Sequence, residues 1–365
     1  MKFGAYATLG VMGAALVLVS CGGGDKTPAK RPALRTATSG SSFIVPAQPG
    51  ATPVAAPAAT SAPITVQAAN ATTFTPPPTD PKLQSATMLR AQVLLDRAGF
   101  SPGVIDARYG ENVRQALAAF QDARGLPNTG QLDQATWDAL QATGGPSALA
   151  NYVITPADAA GPYIAGVPDK LQDQAHLTAL SYTSAAEAIA ERFHMDEDLL
   201  RALNPGQTFN GAGAQIIVAN PARPALTAAV DHIEVDASEK AVKAFDAGGN
   251  LLAFYPATIG SSDNPSPSGS MKINGVGRNP TYTYDPSKLD YAAGRIRTKL
   301  VVAAGPNNPV GSTWIDLSRP TFGIHGTPDP DSVGKTQSHG CVRLTNWDVQ
   351  ALAAGVKPGV KVTFV

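Results

Sequence analysis

The chain has 365 residues, 28 Lys+Arg against 28 Asp+Glu, and a formal net charge of +0. That length exceeds one ordinary domain, and the balanced charge disfavours a nucleic-acid binder, which carries a basic excess or stripe. Only 15% of residues are charged against 35 Gly and 31 Pro, a mixture of folded domains and unstructured stretches, while two cysteines exclude a disulfide framework or a four-thiolate metal site.

Lys2 precedes an uncharged, Gly-interrupted apolar stretch from Phe3 to Ser20, marginal for spanning a membrane and read as a signal peptide over 1–20. Its end, Leu18-Val19-Ser20-Cys21, resembles the lipobox of bacterial lipoproteins. The resemblance implies cleavage before Cys21 and its acylation; two or three acyl chains anchor stably where one is marginal. Gly22 stands where enterobacterial inner-membrane lipoproteins carry Asp. The expectation is a periplasmic protein held by its N-terminal lipid, at the outer membrane rather than the inner. Acylated Cys21 leaves Cys341 without a partner, and a lone thiol in an oxidising compartment should have a use.

Residues 21–80 read as lipidated N-terminus and disordered linker. From Thr36 to Thr79 there is no charged side chain, and eight prolines fall within it. Polyproline-like chain of this length reaches about 180 Å. Residues 84–143 form a small helical unit. Helices are expected at Leu89–Ala98, Glu111–Arg124 and from Asp133, with Val113, Ala116, Leu117 and Phe120 on one face. Gln92, Leu95, Gly99-Phe100, Asp106, Tyr109-Gly110, Phe120-Gln121, Gly125-Leu126, Thr129-Gly130 and Thr136-Trp137 together resemble the peptidoglycan-binding domain found beside cell-wall hydrolases.

Residues 144–175 read as a second linker. Within 176–222, helical patterns at Ala185–Phe193 and Asp196–Leu203 precede a short strand at Ile216-Ile217-Val218. With Tyr182-Thr183 and Leu203-Asn204-Pro205, this segment is similar to a LysM module. Ser184-Ala185-Ala186-Glu187 replaces the usual Gly-Asp-Thr-Leu opening, a departure at the glycan-binding end.

From about residue 229 to 365 the pattern turns to strands: His232–Val235, Ala241–Phe245, Leu251–Ile259, Thr298–Ala303, Phe322–His325 and Lys361–Val365, with one helix at Asn346–Gly355. Many short strands indicate a mainly-β sandwich or barrel. The chemistry lies in Gly323-Ile324-His325-Gly326-Thr327 and Gln337-Ser338-His339-Gly340-Cys341-Val342-Arg343-Leu344. A thiolate is a nucleophile, and a nearby imidazole lowers its pKa and holds its proton. One Cys and two His make only three metal ligands, with no carboxylate placed to complete the set.

The spacing His-Gly, then Ser-His-Gly-Cys-Val-Arg-Leu, resembles the signature of YkuD-type L,D-transpeptidases. Ser266-Pro267-Ser268-Gly269, Gly305-Pro306-Asn307-Asn308-Pro309-Val310-Gly311, Trp314 and Val356-Lys357-Pro358-Gly359 extend the likeness. The resemblance implies Cys341 as nucleophile, His325 as general base oriented by the Gly326 carbonyl, and His339, Gly340 and Cys341 as the oxyanion region. It implies Ser338 and Arg343 in the substrate groove, although Arg343 equally suits a structural carboxylate. It implies a monomer acting on peptidoglycan stems and glycan, with no cofactor or metal, forming 3→3 cross-links. A hydrolase on the same scaffold and a non-catalytic wall-tethering lipoprotein are the alternatives.

Overall fold

The computed structural model describes residues 64–145, 147–222, 225–260, 267–288, 296–336 and 340–365. The expected signal and lipobox segment, Ser266, Ser338 and His339 lie outside them. Among the described residues, no helix is long and apolar enough to cross a membrane.

The first unit begins earlier than expected. Thr65 caps a short helix α1 (Val66–Ala69), and Phe74 packs at 5.7 Å from Trp137, whose indole N–H donates to the Thr72 carbonyl at 2.7 Å. Residues 64–74, expected to be linker, thus cover the helical module. Their few apolar side chains are hidden in an Ala/Thr/Pro average, yet Ile64, Ala69 and Phe74 pack into hydrophobic clusters while Val66 stays exposed. Three helices follow: α2 (Ala86–Arg97), α3 (Glu111–Ala123) and α4 (Gln134–Ala142). Ser85 and Asp133 accept from the Met88 and Thr136 amides, satisfying orphan donors at the helix starts. Leu94, Leu95, Leu117, Phe120 and Trp137 are the apolar centre. Buried Gln121 ties the α3–α4 loop, donating to Thr136 Oγ1 and accepting from the Thr129 and Gly130 amides.

The middle unit is built from β1 (Leu149–Val153), α5 (Pro156–Ala160), α6 (Leu171–Gln174), α7 (Ala185–Arg192), α8 (Glu197–Leu203) and β2 (Gln215–Ala219). β1 pairs antiparallel with β2, Leu149 opposite Ala219. The expected linker at 144–175 therefore supplies a strand and two short helices. Leu149-Ala150-Asn151-Tyr152-Val153 lacks clean alternation, and its strand state comes from a partner 60-odd residues away in sequence.

The C-terminal unit is mainly β: β3 (His232–Asp236), β4 (Ala241–Phe245), β5 (Leu251–Pro256), β6 (Gly269–Arg278), β7 (Tyr282–Tyr284), β8 (Leu300–Val302), β9 (Thr313–Leu317), β10 (Gly323–His325), β11 (Val342–Arg343), helix α9 (Asn346–Gly355) and β12 (Lys361–Phe364). Eight strands form one sheet in the order β11-β10-β9-β6-β12-β3-β4-β5, while β7 and β8 pair separately. The sheet curls until Thr258, just beyond β5, exchanges both main-chain hydrogen bonds with Arg343 of β11 at 2.9 Å. Inward residues such as Ile233, Val235, Val242, Tyr255, Ile315 and Val362 fill the curl, joined by Val349 and Leu352 of α9.

β6 and β9 are central to this sheet, and the sequence pattern did not reveal them as strands. In β6 the inward pair Met271 and Ile273 is followed by Gly275, where the register against β9 shifts. A bulge and glycines dilute the alternation on which strand recognition depends.

Candidate active site

Strand pairing assembles the site. β10 and β11 run parallel, with Ile324 opposite Val342 and His325 opposite Arg343. One step back sets Cys341 beside Gly323. Side chains alternate between faces, so Cys341, Arg343, Gly323 and His325 share one face, with the thiol and imidazole diagonal to each other on adjacent strands.

On its other side β10 pairs with β9, and His325 lies opposite Trp314. The two rings stack at 5.4 Å with 16° between planes, and each residue is 1% exposed. Gly323 makes room for this. A β-carbon there would stand 2.4 Å from Trp314 Cζ2, so the indole occupies the space a side chain would need.

His325 Nδ1 lies 2.7 Å from the Gly326 carbonyl. A carbonyl can only accept, so Nδ1 carries the proton and Nε2 presents its lone pair. Nε2 is buried and meets no hydrogen-bond partner among the described residues. Gly326 is itself held. Its amide donates to the Thr313 carbonyl at 3.2 Å, and Asn346 Oδ1 lies where its β-carbon would be.

Cys341 is 3% exposed and packs with Tyr282, Val302, Val310 and Trp314. Its thiol donates to the Thr321 carbonyl at 3.7 Å. Thr321 sits in the β9–β10 turn at φ 72°, an uncommon conformation for a β-branched residue. Gly340 has φ 119°, outside the reach of ordinary side chains, and this kink leads into the Cys341 amide. Arg343 is partly exposed, and among the described residues no carboxylate pairs with its guanidinium.

The structure thus brings together Cys341, His325, Gly326, Gly340 and Arg343, while Cys21, Ser338 and His339 lie outside the described residues. Sequence reasoning missed the stacking of Trp314 on His325 and the packing of Asn346 on Gly326. Both depend on strand register and loop packing, and the only local hint was glycine at 323 and 326, flanking the histidine at one and two residues' distance.

The family model for the YkuD L,D-transpeptidase catalytic domain matches residues 230–364, and that for a peptidoglycan binding domain matches 84–140. The L,D-transpeptidase YkuD of Bacillus licheniformis is 30% identical over 181 residues, spanning 48% of this chain and 91% of that protein. YcfS of Escherichia coli K12 is 29% identical over 185 residues, spanning 49% of this chain and 58% of its own length. The crystal structure of an L,D-transpeptidase from Xylanimonas cellulosilytica superposes with a TM-score of 0.35 at 16% identity, spanning 79% of this chain and 100% of that one, agreement too low to carry an argument. The chain belongs to the YkuD-type L,D-transpeptidase family. It is an enzyme of that class, with a helical peptidoglycan-binding domain ahead of a curled-sheet catalytic domain and peptidoglycan as its substrate.

Proposed function

We propose that Cys341 attacks the carbonyl of the L-diaminoacyl–D-Ala bond in a tetrapeptide stem. The His325 Nε2 lone pair takes the thiol proton, and the thiolate adds to the carbonyl. The backbone N–H groups around Gly340 and Cys341, with His339, stabilise the oxyanion. Collapse breaks the amide, His325 returns the proton to the departing D-Ala amine, and a thioester remains. An amine, the side chain of a second diamino acid, then displaces the thiol and gives a 3→3 cross-link. Ser338 and Arg343 line the stem groove. The route uses a thiol and an imidazole and calls for no metal or organic cofactor.

The observation that carries this reading is the shared face of Cys341 and His325, with the imidazole proton committed to Gly326 and the lone pair free. The pairing of β1 with β2 around helices α7 and α8, with α5 and α6 inserted after β1, supports a LysM-like reading of the middle unit. The lipobox ending at Cys21 supports a periplasmic, lipid-anchored protein, placed at the outer membrane, whose tether confines it near the wall.

Incubating the mature chain with purified disaccharide-tetrapeptide tests the reaction. Cross-linked dimer with one D-Ala released per bond is expected. Tripeptide without dimer would replace transpeptidation by hydrolysis, and unchanged substrate would overturn the reading.

A further inference from the structure

The helix α7 of the middle unit turns a carboxylate face onto the catalytic domain. Glu187 and Glu191 are four residues apart and share a side of the helix. Such a face ordinarily meets water. Here Asn307 Nδ2 donates to Glu187 Oε1 at 2.8 Å, and Asn346 Nδ2 donates to Glu191 Oε1 and Oε2 at 3.1 and 3.2 Å. Tyr182 donates its hydroxyl to Glu191 Oε1 at 2.8 Å. Among the described residues no cation compensates. Arg192, the neighbouring base, pairs with Asp158 at 2.7 Å. The cleft onto which Glu191 opens is lined by Asp169, Glu187, Asp196, Glu197, Asp329 and Asp331 and by no basic side chain. Removing a carboxylate from water without a counter-charge is unfavourable, and apolar side chains would dock two modules at less cost.

What the carboxylate holds gives it a reason. Asn346 is a junction of three loop segments. Its Oδ1 accepts from the Ser312 amide at 2.9 Å and fills the space beside Gly311 and Gly326, where β-carbons would lie 2.2 and 2.1 Å away. Its Nδ2 also reaches the Pro306 carbonyl at 3.2 Å. A primary amide can be turned over, exchanging oxygen and nitrogen. In its ionised form the Glu191 carboxylate only accepts, so it requires Nδ2 on its side, which together with the Pro306 carbonyl commits Oδ1 to Gly326 and Ser312. The carbonyl of that same Gly326 fixes the His325 tautomer.

We infer that Glu191 is a positioning residue of the transpeptidase site, acting through Asn346 on the Gly326 loop that orients His325. The middle module is then a brace of the active site, whatever it binds. The inference rests on His325 serving as the base in the reaction proposed above.

The test uses the full chain as wild type, Glu191→Ala, Glu191→Gln, Asn346→Ala and the Glu191→Ala/Asn346→Ala double variant. Two readouts are taken: kcat and KM for dimer formation, and the His325 Nδ1–H resonance in 15N-labelled protein. Loss of positioning should lower kcat about 10-fold in Glu191→Ala, with KM within about twofold, because small misplacements of a reacting group are expensive. Glu191→Gln, which keeps shape but restores an ambiguous amide pair, should fall between. The double variant should be no worse than the poorer single one, since both act on one element. The Nδ1–H signal should shift or broaden in the variants. A Glu191→Ala enzyme with wild-type kcat and an unmoved resonance would overturn the inference, as would multiplicative losses in the double variant. If Glu191→Ala does not fold, the isosteric Gln variant decides by the same two readouts. A wild-type chain that forms no product would sink the proposed reaction, while the resonance would still decide whether Glu191 sets His325.

Discussion

Two modules dock on the catalytic domain, and they differ in what they place beside His325. The helical module meets the edge strand β5 through main chain. The Ser101 amide donates to the Phe254 carbonyl at 2.8 Å, and the Phe254 amide donates to the Gly99 carbonyl at 3.0 Å. Phe254 and Ala241 then join the helical module's own apolar cluster. An edge strand carries unpaired donors and acceptors, and this contact covers two of them, while the buried Ser101 hydroxyl donates to Asp348 Oδ2 at 2.9 Å. The middle module also uses main chain, Leu180 with Ala304 and Asn307, and packs Leu180 into the cluster of Trp314 and Cys341, but it adds oriented polar side chains beside His325, Glu187 to Asn307 and Glu191 to Asn346. The first contact centres on the edge strand β5; the second sets a layer of carboxylates and amides beside the loop of His325. The first should govern stability and the second chemistry.

The zero point of the chemical side is Cys341, the proposed nucleophile. Cys341→Ala should abolish dimer formation and D-Ala release, with little loss of stability because the side chain removed is small. Product at the wild-type rate would remove the thiol from the reaction. Next in size, His325→Ala should slow acylation by about 10²–10⁴-fold, the usual range for losing a general base. A single adduct on Cys341 with an acylating β-lactam, followed by intact-protein mass spectrometry over time, measures it. A near-wild-type acylation rate would transfer the role to another group.

The stability side is broken by Phe254→Ala. The side chain is fully buried, and truncation should cost about 3–5 kcal/mol. Thermal unfolding should fall markedly, while kcat per folded molecule should stay within about twofold. A large kcat loss in the folded fraction would mean that the helical module also feeds the site and that the two contacts are not distinct in kind.

How much of this division was legible in the sequence depends on the range of each interaction. The helices α2, α3, α7 and α8 announce themselves through local caps and periodicity, Ser85, Ser184 and Asp196 each preceding a patterned run. The Cys341 and His325 motifs are short and contiguous, so they too can be read directly. β1 and β6 cannot, because one is defined only by its partner and the other is interrupted by Gly275 and Gly277. The module contacts are invisible for the same reason. Glu191 and Asn346 are 155 positions apart, and nothing local marks a glutamate on a short helix as the one that faces inward.

The smallest expected effect separates the two contacts by charge. Burial pushes the Glu191 carboxyl up to about 7, against the pull of the Tyr182 and Asn346 donors, and Glu187 adds to the rise. Its unfolded value is near 4.5. The folded protein thus binds this proton more tightly than the unfolded chain does. The resulting stabilisation is fully present below about pH 4.5 and is lost as pH rises through about 7, for a total of at most about 3 kcal/mol. Glu191→Gln does not titrate. Its unfolding free energy minus that of the wild type should therefore increase between about pH 4.5 and 7.5 and then level off. The corresponding difference for Phe254→Ala should be flat over the same window, because no titrating group is altered. Denaturant titrations of the three proteins at half-unit pH steps measure both differences. A flat Glu191→Gln curve would mean that solvent reaches the carboxylate freely, which would leave the polar contact no more demanding than the apolar one.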